Sequence, residues 1–325
     1  MAKKQHEVGD ISVDAVGDGY RPRFRARWLL PDYWPTWAML AAVTIAAFVP
    51  RTVAGLLGRG LGEMFYRTST KRRRIAAINL GLAFPDLAPD VRSRILRRHF
   101  HIYGECLLDM GLLWWRSPTF LDRYFQIEGL EHYRAARAAG RNVILLTGHF
   151  AALDLAGPVI SRRYPQVGLI KPIHNRLADY FVARGRLRFA SRLYLRDKGL
   201  RPVVKAVRAG FGFYYLPDED FGPDRSVFVP FLGTVAATIT ALSRLATLTD
   251  ALVLPTSAIR VSNRQGYRIV IRPALTDFPG DDPEQDARRM NQVLGEMIAG
   301  APEQYMWTFK YFRSRPNNEP SPYDR

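Results

Sequence analysis

Apolar and polar positions along this chain follow three regimes. Residues 33–50, YWPTWAMLAAVTIAAFVP, carry no charge. Residues 89–115 set Arg92, Arg94, Arg97 and Arg98 on the polar side of an otherwise apolar repeat, which predicts a long amphipathic helix. From residue 125 onward, short β-branched or aromatic runs bounded by glycine or proline alternate with segments of helical period. The runs at 143–147, 167–170, 213–216, 252–259 and 267–271 predict strands. The segments at 128–139, 151–162, 175–189, 236–248 and 286–298 predict helices. This alternation predicts an α/β fold, a mixed sheet covered by helices. Ligands gather at the carboxyl ends of strands in such sheets.

The uncharged stretch at 33–50 sits at the low end of the roughly 17–25 residues that cross a bilayer. Tyr33, Trp34 and Trp37 cluster at one end as an interfacial aromatic belt would, and Pro35 suits a first helical turn. A buried helix of a soluble domain is the alternative. The glycine-spaced segment 53–65 reads as a second interfacial helix packed closely on the first. Four parts follow: a polar lead over 1–32, membrane-anchoring or interfacial helices over 33–66, a catalytic domain over 67–316 and a flexible tail over 317–325. Positive charge is densest downstream of the apolar stretch, between Arg51 and Arg74, which favours the bulk of the chain in the cytoplasm. Lys71 to Arg74 reads either as headgroup contact or as a solvated face.

Charge changes the picture further. A formal net charge of +17 draws the chain to polyanions: nucleic acid, an anionic membrane or a phosphorylated substrate. The single cysteine, Cys106, excludes an internal disulfide and fits a reducing compartment. Cys–His metal spacings are absent, and His99 and His101 read as core or surface residues.

The candidate chemistry centres on residues 141–157, RNVILLTGHFAALDLAG. The apolar run ends at Thr147-Gly148, and His149 falls where a strand hands over to a helix. On a continuous helix, residues five apart are rotated by roughly 140° and do not share a face. With His149 in the turn and Asp154 in the first helical turn, the carboxylate can fold back onto the imidazole. An aspartate on one ring nitrogen fixes the tautomer and leaves the other nitrogen to take a proton from a hydroxyl. A structural histidine closing the strand end is the alternative. A second region, 171–188, carries Lys171, Arg184, Arg186 and Arg188, where arginine forks suit phosphate or carboxylate. Asp218-Glu219-Asp220 follows the strand at 213–216, and a plain pairing of Asp218 with an arginine is the alternative there.

These stretches resemble the lipid A late acyltransferases, the lauroyl/myristoyl acyltransferase family within the His-x4-Asp/Glu glycerolipid acyltransferase superfamily. The resemblance spans residues 33–316 and rests on YWPTW at 33–37, TGHFAALDLAG at 147–157, IKPIHNRL…ARGR at 170–186, LPDEDFGPDRSVFVPFLGTVAATIT at 216–240 and APEQYMW…FRSRP at 301–316. It implies an N-terminal membrane helix, a cytoplasmic α/β catalytic domain and an inner-membrane location. It also implies transfer of an acyl chain from acyl carrier protein to a hydroxyl of a phosphorylated, Kdo-bearing lipid A precursor, with no metal or redox cofactor. By motif, His149 matches the catalytic base and Asp154 its partner. Arg186 matches the essential arginine, Asp218 the essential aspartate and Asp220 the second acid of the D-x-D element. Lys171 and Arg184 fall in the same substrate-binding region.

Two positions depart from the pattern. Position 154 is Asp where the family more often has Glu, and position 171 is Lys where Arg is common. Two rival readings stand beside this one. The first is an acyltransferase acting on another glycolipid. The second is a non-enzymatic polyanion binder, for example of nucleic acid, although no nucleic-acid motif is recognisable.

Overall fold

The computed structural model describes residues 19–189 and 191–324. The chain begins with helices: α1 (Trp34–Ala46), α2 (Arg51–Thr68), α3 (Thr70–Ala83), α4 (Pro89–Trp115) and α5 (Pro118–Tyr124). Alternation follows with β1 (Phe125–Glu128), α6 (Leu130–Ala138), β2 (Asn142–Leu146), α7 (Leu153–Ser161), β3 (Gln166–Ile170), α8 (Arg176–Arg186) and β4 (Ser191–Leu195). Then come α9 (Arg201–Arg208), β5 (Gly212–Tyr215), β6 (Val227–Phe231), β7 (Thr234–Thr238), α10 (Ala241–Thr249), β8 (Ala251–Ser262), β9 (Gly266–Ile271) and α11 (Pro283–Ala299).

Seven strands form one sheet in the order β1-β9-β8-β2-β5-β3-β4. Neighbours run parallel except β8 and β9, which are antiparallel, so the sheet is mixed. β2 lies in the middle. Its run of apolar residues is buried on both faces, as parallel central strands require. Val143 and Leu145 enter the core on one face, with Leu155, Val159 and Leu177. Ile144 and Leu146 enter the core on the other, with Val203, Val207 and Leu245. Helices therefore cover both sides, as the alternation predicted. Four strands (β1, β4, β6 and β7) and the helices α5 and α9 were not predicted. The expected helix at 236–248 starts instead as β7, and α10 begins only at Ala241.

The uncharged stretch does not form one long helix. α1 ends at Ala46, a turn follows, and α2 starts after Pro50. At 1.5 Å per residue, thirteen helical residues reach about 20 Å against a hydrocarbon core of about 30 Å. Among the described residues, no helix is long and apolar enough to cross a membrane. The expected transmembrane helix is thus not found. The glycines of α2 serve a different contact from the one expected. A Cβ on Gly104 of α4 would lie 2.3 Å from the Gly58 carbonyl oxygen, so α2 lies flat on α4 rather than on α1. The end of the chain, expected as a tail, packs back. The Tyr323 ring is buried, and its hydroxyl meets Asn79 and accepts from the Phe312 N–H.

A buried ion cluster joins α2 and α4 to the sheet. Arg260 on β8 lies 3.0 Å from Glu105, and its side chain is 2% exposed. Asp109 accepts from Arg51 and from the Tyr267 hydroxyl at 2.7 Å. Burial pushes the Asp109 carboxyl up, against the pull of Arg51, Tyr267 and Arg260.

Candidate active site

The site forms where β2 and β5 end side by side. Leu146 and Tyr215 are register partners, and the Thr147 N–H continues the ladder to the Tyr215 carbonyl at 3.0 Å. His149 and Asp218 each lie three residues beyond that pair, so sheet register alone brings them together. His149 Nδ1 is 2.7 Å from Asp218 Oδ1, and the His149 backbone N–H donates to Asp218 Oδ2 at 2.7 Å. The Tyr305 hydroxyl donates to the same Oδ2 at 2.6 Å. The Asp218 side chain is 1% exposed, whereas that of His149 is 16% exposed. The carboxylate is sealed and the imidazole reaches open space. Gly148 permits the approach, because a Cβ there would stand 3.1 Å from both Asp218 Oδ2 and the Tyr305 ring.

Electrostatics follow from this arrangement. Burial opposes charge on the His149 ring. The Asp218 charge and hydrogen bond outweigh that opposition, Glu219 and Asp154 add to them, and the pKa is held above the ordinary imidazole value. Burial likewise opposes the Asp218 carboxylate, but His149, Tyr305 and the backbone N–H hold its pKa below the usual range. Nε2 is the nitrogen left over. It faces Glu219 Oε1 at 3.7 Å, while the other Glu219 oxygen is held by Arg196 at 2.5 Å. The Phe309 ring sits edge-on to the imidazole with centroids 5.1 Å apart.

The carboxylate on the imidazole is therefore Asp218, not the Asp154 that the spacing suggested. Asp154 lies in the first turn of α7 and accepts from Arg186 at 2.9 Å through Nε and 2.6 Å through a terminal nitrogen. Asp218 thus pairs with His149 rather than with an arginine, and an Asp154–Arg186 pair stands beside the dyad. Asp220, expected on substrate, is 2% exposed. It accepts from the Ser314 N–H at 2.6 Å and the Ser314 hydroxyl at 2.8 Å, so it straps the C-terminal segment to the loop. Lys171 is exposed beyond β3. Arg184 lies over the Trp115 ring, 5.6 Å from its centroid, and so faces α4. Arg188 falls past the end of α8 and donates to the carbonyls of Leu113 and Arg116.

Sequence reasoning missed Glu219, Tyr305 and Phe309. Glu219 was visible between the two named acids. Tyr305 reaches the site because residues 304–306 pair with 149–151: Ala151 N–H to Gln304 carbonyl and Met306 N–H to His149 carbonyl, each 2.8 Å. The PEQYMW stretch at 302–307 was the one available signal for it.

What the fold and the dyad define is an α/β protein with an imidazole seated on a buried carboxylate at its strand ends, equipped to take a proton from a hydroxyl. The family described as bacterial lipid A biosynthesis acyltransferase matches residues 21–314. A lipid A biosynthesis acyltransferase of Haemophilus influenzae is 34% identical, covering 93% of this chain and 94% of its own. The lipid A biosynthesis lauroyltransferase of Escherichia coli K12 is 34% identical over 93% of this chain and 99% of its own. The myristoyltransferase of the same organism is 32% identical over 94% and 95%. The chain belongs to the lipid A biosynthesis acyltransferase family, and it is an acyltransferase.

Proposed function

We propose that this enzyme moves a fatty acyl chain, lauroyl or myristoyl, from acyl carrier protein to a hydroxyl of a phosphorylated, Kdo-bearing lipid A precursor. The observation that carries the reading is the His149–Asp218 pair with Nε2 facing outward. Nε2 takes the proton of the acceptor hydroxyl as its oxygen attacks the thioester carbonyl. The tetrahedral intermediate collapses, the C–S bond breaks, and the departing thiolate takes the proton back from Nε2. An ester and the free carrier thiol result, and the histidine returns to its neutral form. Asp218 steadies the imidazolium between the two transfers. Asp154 holds Arg186, whose side chain is 24% exposed and whose remaining N–H groups are offered to an acceptor phosphate.

The reading places the protein on the cytoplasmic face of the bacterial inner membrane, seated on one leaflet. Leu29, Leu30, Trp34, Ile45, Phe48, Leu56 and Leu57 are all exposed on the N-terminal helices. An apolar surface of this kind, on a chain of net charge +17, suits an anionic bilayer.

The test is a transfer assay with lauroyl- and myristoyl-acyl carrier protein and the Kdo-bearing tetra-acylated precursor, reading product mass. The expected result is a gain of one acyl chain that disappears in folded His149→Ala. A His149→Ala enzyme with near-normal turnover would overturn the mechanism. No gain with either donor would overturn this choice of acceptor, in favour of another glycolipid.

A further inference from the structure

A groove of about 1170 Å³ runs between α9 and α10, and neither His149 nor Asp218 lines it. Its rim is cationic. Arg201, Lys205 and Arg208 line it from α9, Arg244 from α10 and Arg225 from the loop after Asp220. All five are exposed. On α9 the spacing i, i+4, i+7 aligns three of them along one helix face. The floor is apolar, with Val204, Ile239 and Leu248, the last 41% exposed.

These cations differ from the arginines that are tied to acids elsewhere in the molecule. Arg51, Arg59, Arg97, Arg162, Arg186 and Arg260 each hold a carboxylate. Among the described residues, none of the five rim cations makes an ion pair, and no acid lines the groove. Arg208 donates to the Leu248 carbonyl at 2.8 Å, which fixes it at the rim without neutralising it. Asp282, close by in sequence, is turned to the Glu284 N–H at the start of α11. Five like charges around one apolar groove repel one another in the free protein and suit an occupant rich in carboxylates.

Position selects the kind of occupant. α9 and α10 cover the sheet face whose core holds Val203 and Leu245. The exposed apolar helix α1 packs on the opposite core, through Leu40 and Val43. A bilayer met by α1 leaves the α9–α10 groove facing the aqueous side. One end of the groove is built by Phe221 and Arg225, in the loop that also carries Asp218. Arg196 spans the two, gripping Glu219 beside His149 and lying over the Phe221 ring.

We infer that this groove docks the acidic acyl carrier protein, laying one of its acidic helices between α9 and α10 so that its acyl-bearing arm reaches His149. The inference rests on the proposed donor and adds the surface that recognises it. Rim charges of this sort act mainly on encounter and on KM, and their effect weakens with salt.

The test is a charge-reversed variant, Arg201→Glu/Lys205→Glu/Arg244→Glu, with Arg201→Gln/Lys205→Gln as a milder companion should the first not fold. Three readouts apply: titration of fluorescent holo-acyl carrier protein, transfer from lauroyl-carrier protein, and transfer from lauroyl-pantetheine, which lacks the protein. The expected result is carrier affinity reduced about tenfold or more and KM for the loaded carrier raised to match. The kcat at saturation and transfer from lauroyl-pantetheine should stay within about twofold. Equal loss with both donors would overturn the docking assignment. So would an absence of carrier binding by the wild-type enzyme. Unchanged carrier titration with lost binding to phosphatidylglycerol vesicles would show a lipid site instead and overturn it too. Carrier binding that depends on the rim, without transfer to the lipid A precursor, would leave the docking surface standing and overturn the acceptor reading.

Discussion

Two buried carboxylate clusters sit in this molecule, and they obey the same electrostatics to opposite ends. In one, Asp109 and Glu105 are closed in by Arg51 and Arg260 between α2, α4 and the sheet. In the other, Asp218 is closed in by His149, Tyr305 and a backbone N–H at the strand ends. Each carboxylate is nearly inaccessible and each is bound by its partners. The difference is the partner. Arginine stays protonated at any physiological pH, so its cluster can only hold structure together. Imidazole can release and accept a proton, and here its second nitrogen reaches open space. A buried acid beside a permanent cation is a tie; beside a titratable, half-accessible ring it becomes a base.

The comparison breaks most sharply at Asp218. Asp218→Asn should lower kcat/KM by on the order of 10²–10⁴ while the protein stays folded, because the ring loses both tautomer control and a counter-charge. The pH profile carries the sign. Neutral His149 is the active form, and its raised pKa puts the acid limb of wild-type kcat/KM above the ordinary imidazole value of about 6.5. In Asp218→Asn, only Glu219 and Asp154 remain to oppose burial, and the limb should move to lower pH. A limb unmoved by the substitution would sink the dyad. The same linkage governs stability. The raised His149 pKa makes the pair's contribution full below the unfolded imidazole pKa and lost as pH rises through the folded one. Melting curves of wild type and variant should therefore converge toward alkaline pH.

Next in size is the tie. Arg260→Met should cost about 3–5 kcal/mol of stability by leaving Glu105 and Asp109 under-compensated. Denaturant titration measures this, and turnover per folded molecule should be unchanged. A smaller effect belongs to the third pair, which is half open to solvent. Asp154→Asn should raise KM for the acceptor several-fold through a loosened Arg186. Its cost in stability should be within about 1 kcal/mol, since exposed ion pairs contribute little. A collapse in kcat with acid-limb displacement would instead put Asp154 on His149. The smallest change is Tyr305→Phe, which removes one of three hydrogen bonds to Asp218. It should cost about 1 kcal/mol, read as a fivefold fall in kcat/KM and a modest shift of the acid limb.

Particular residues show where sequence reasoning reached its end. The long helix over 89–115 was legible to the residue, because a charged stripe on an apolar repeat has only one folded reading. The histidine at the end of β2 was legible too. The strand β6–β7 hairpin was not, since its 236–238 segment of small apolar residues satisfies either period. The 33–50 stretch misled through composition alone: absence of charge says nothing about the turn after Ala46 or the new helix beyond Pro50.

By itself the sequence determined the class of fold, the family and the place of His149. Local period, turn residues and a run of motifs in order are enough for these, because each is written in neighbouring residues. Only the tertiary structure decided which carboxylate His149 holds. Asp154 is near in sequence, but α7 carries it toward Arg186 on α8. Asp218 lies 69 residues away, yet β5 docks beside β2 in register and delivers it to the ring. Which strand ends become neighbours depends on the order of the whole sheet, and no local pattern encodes that order.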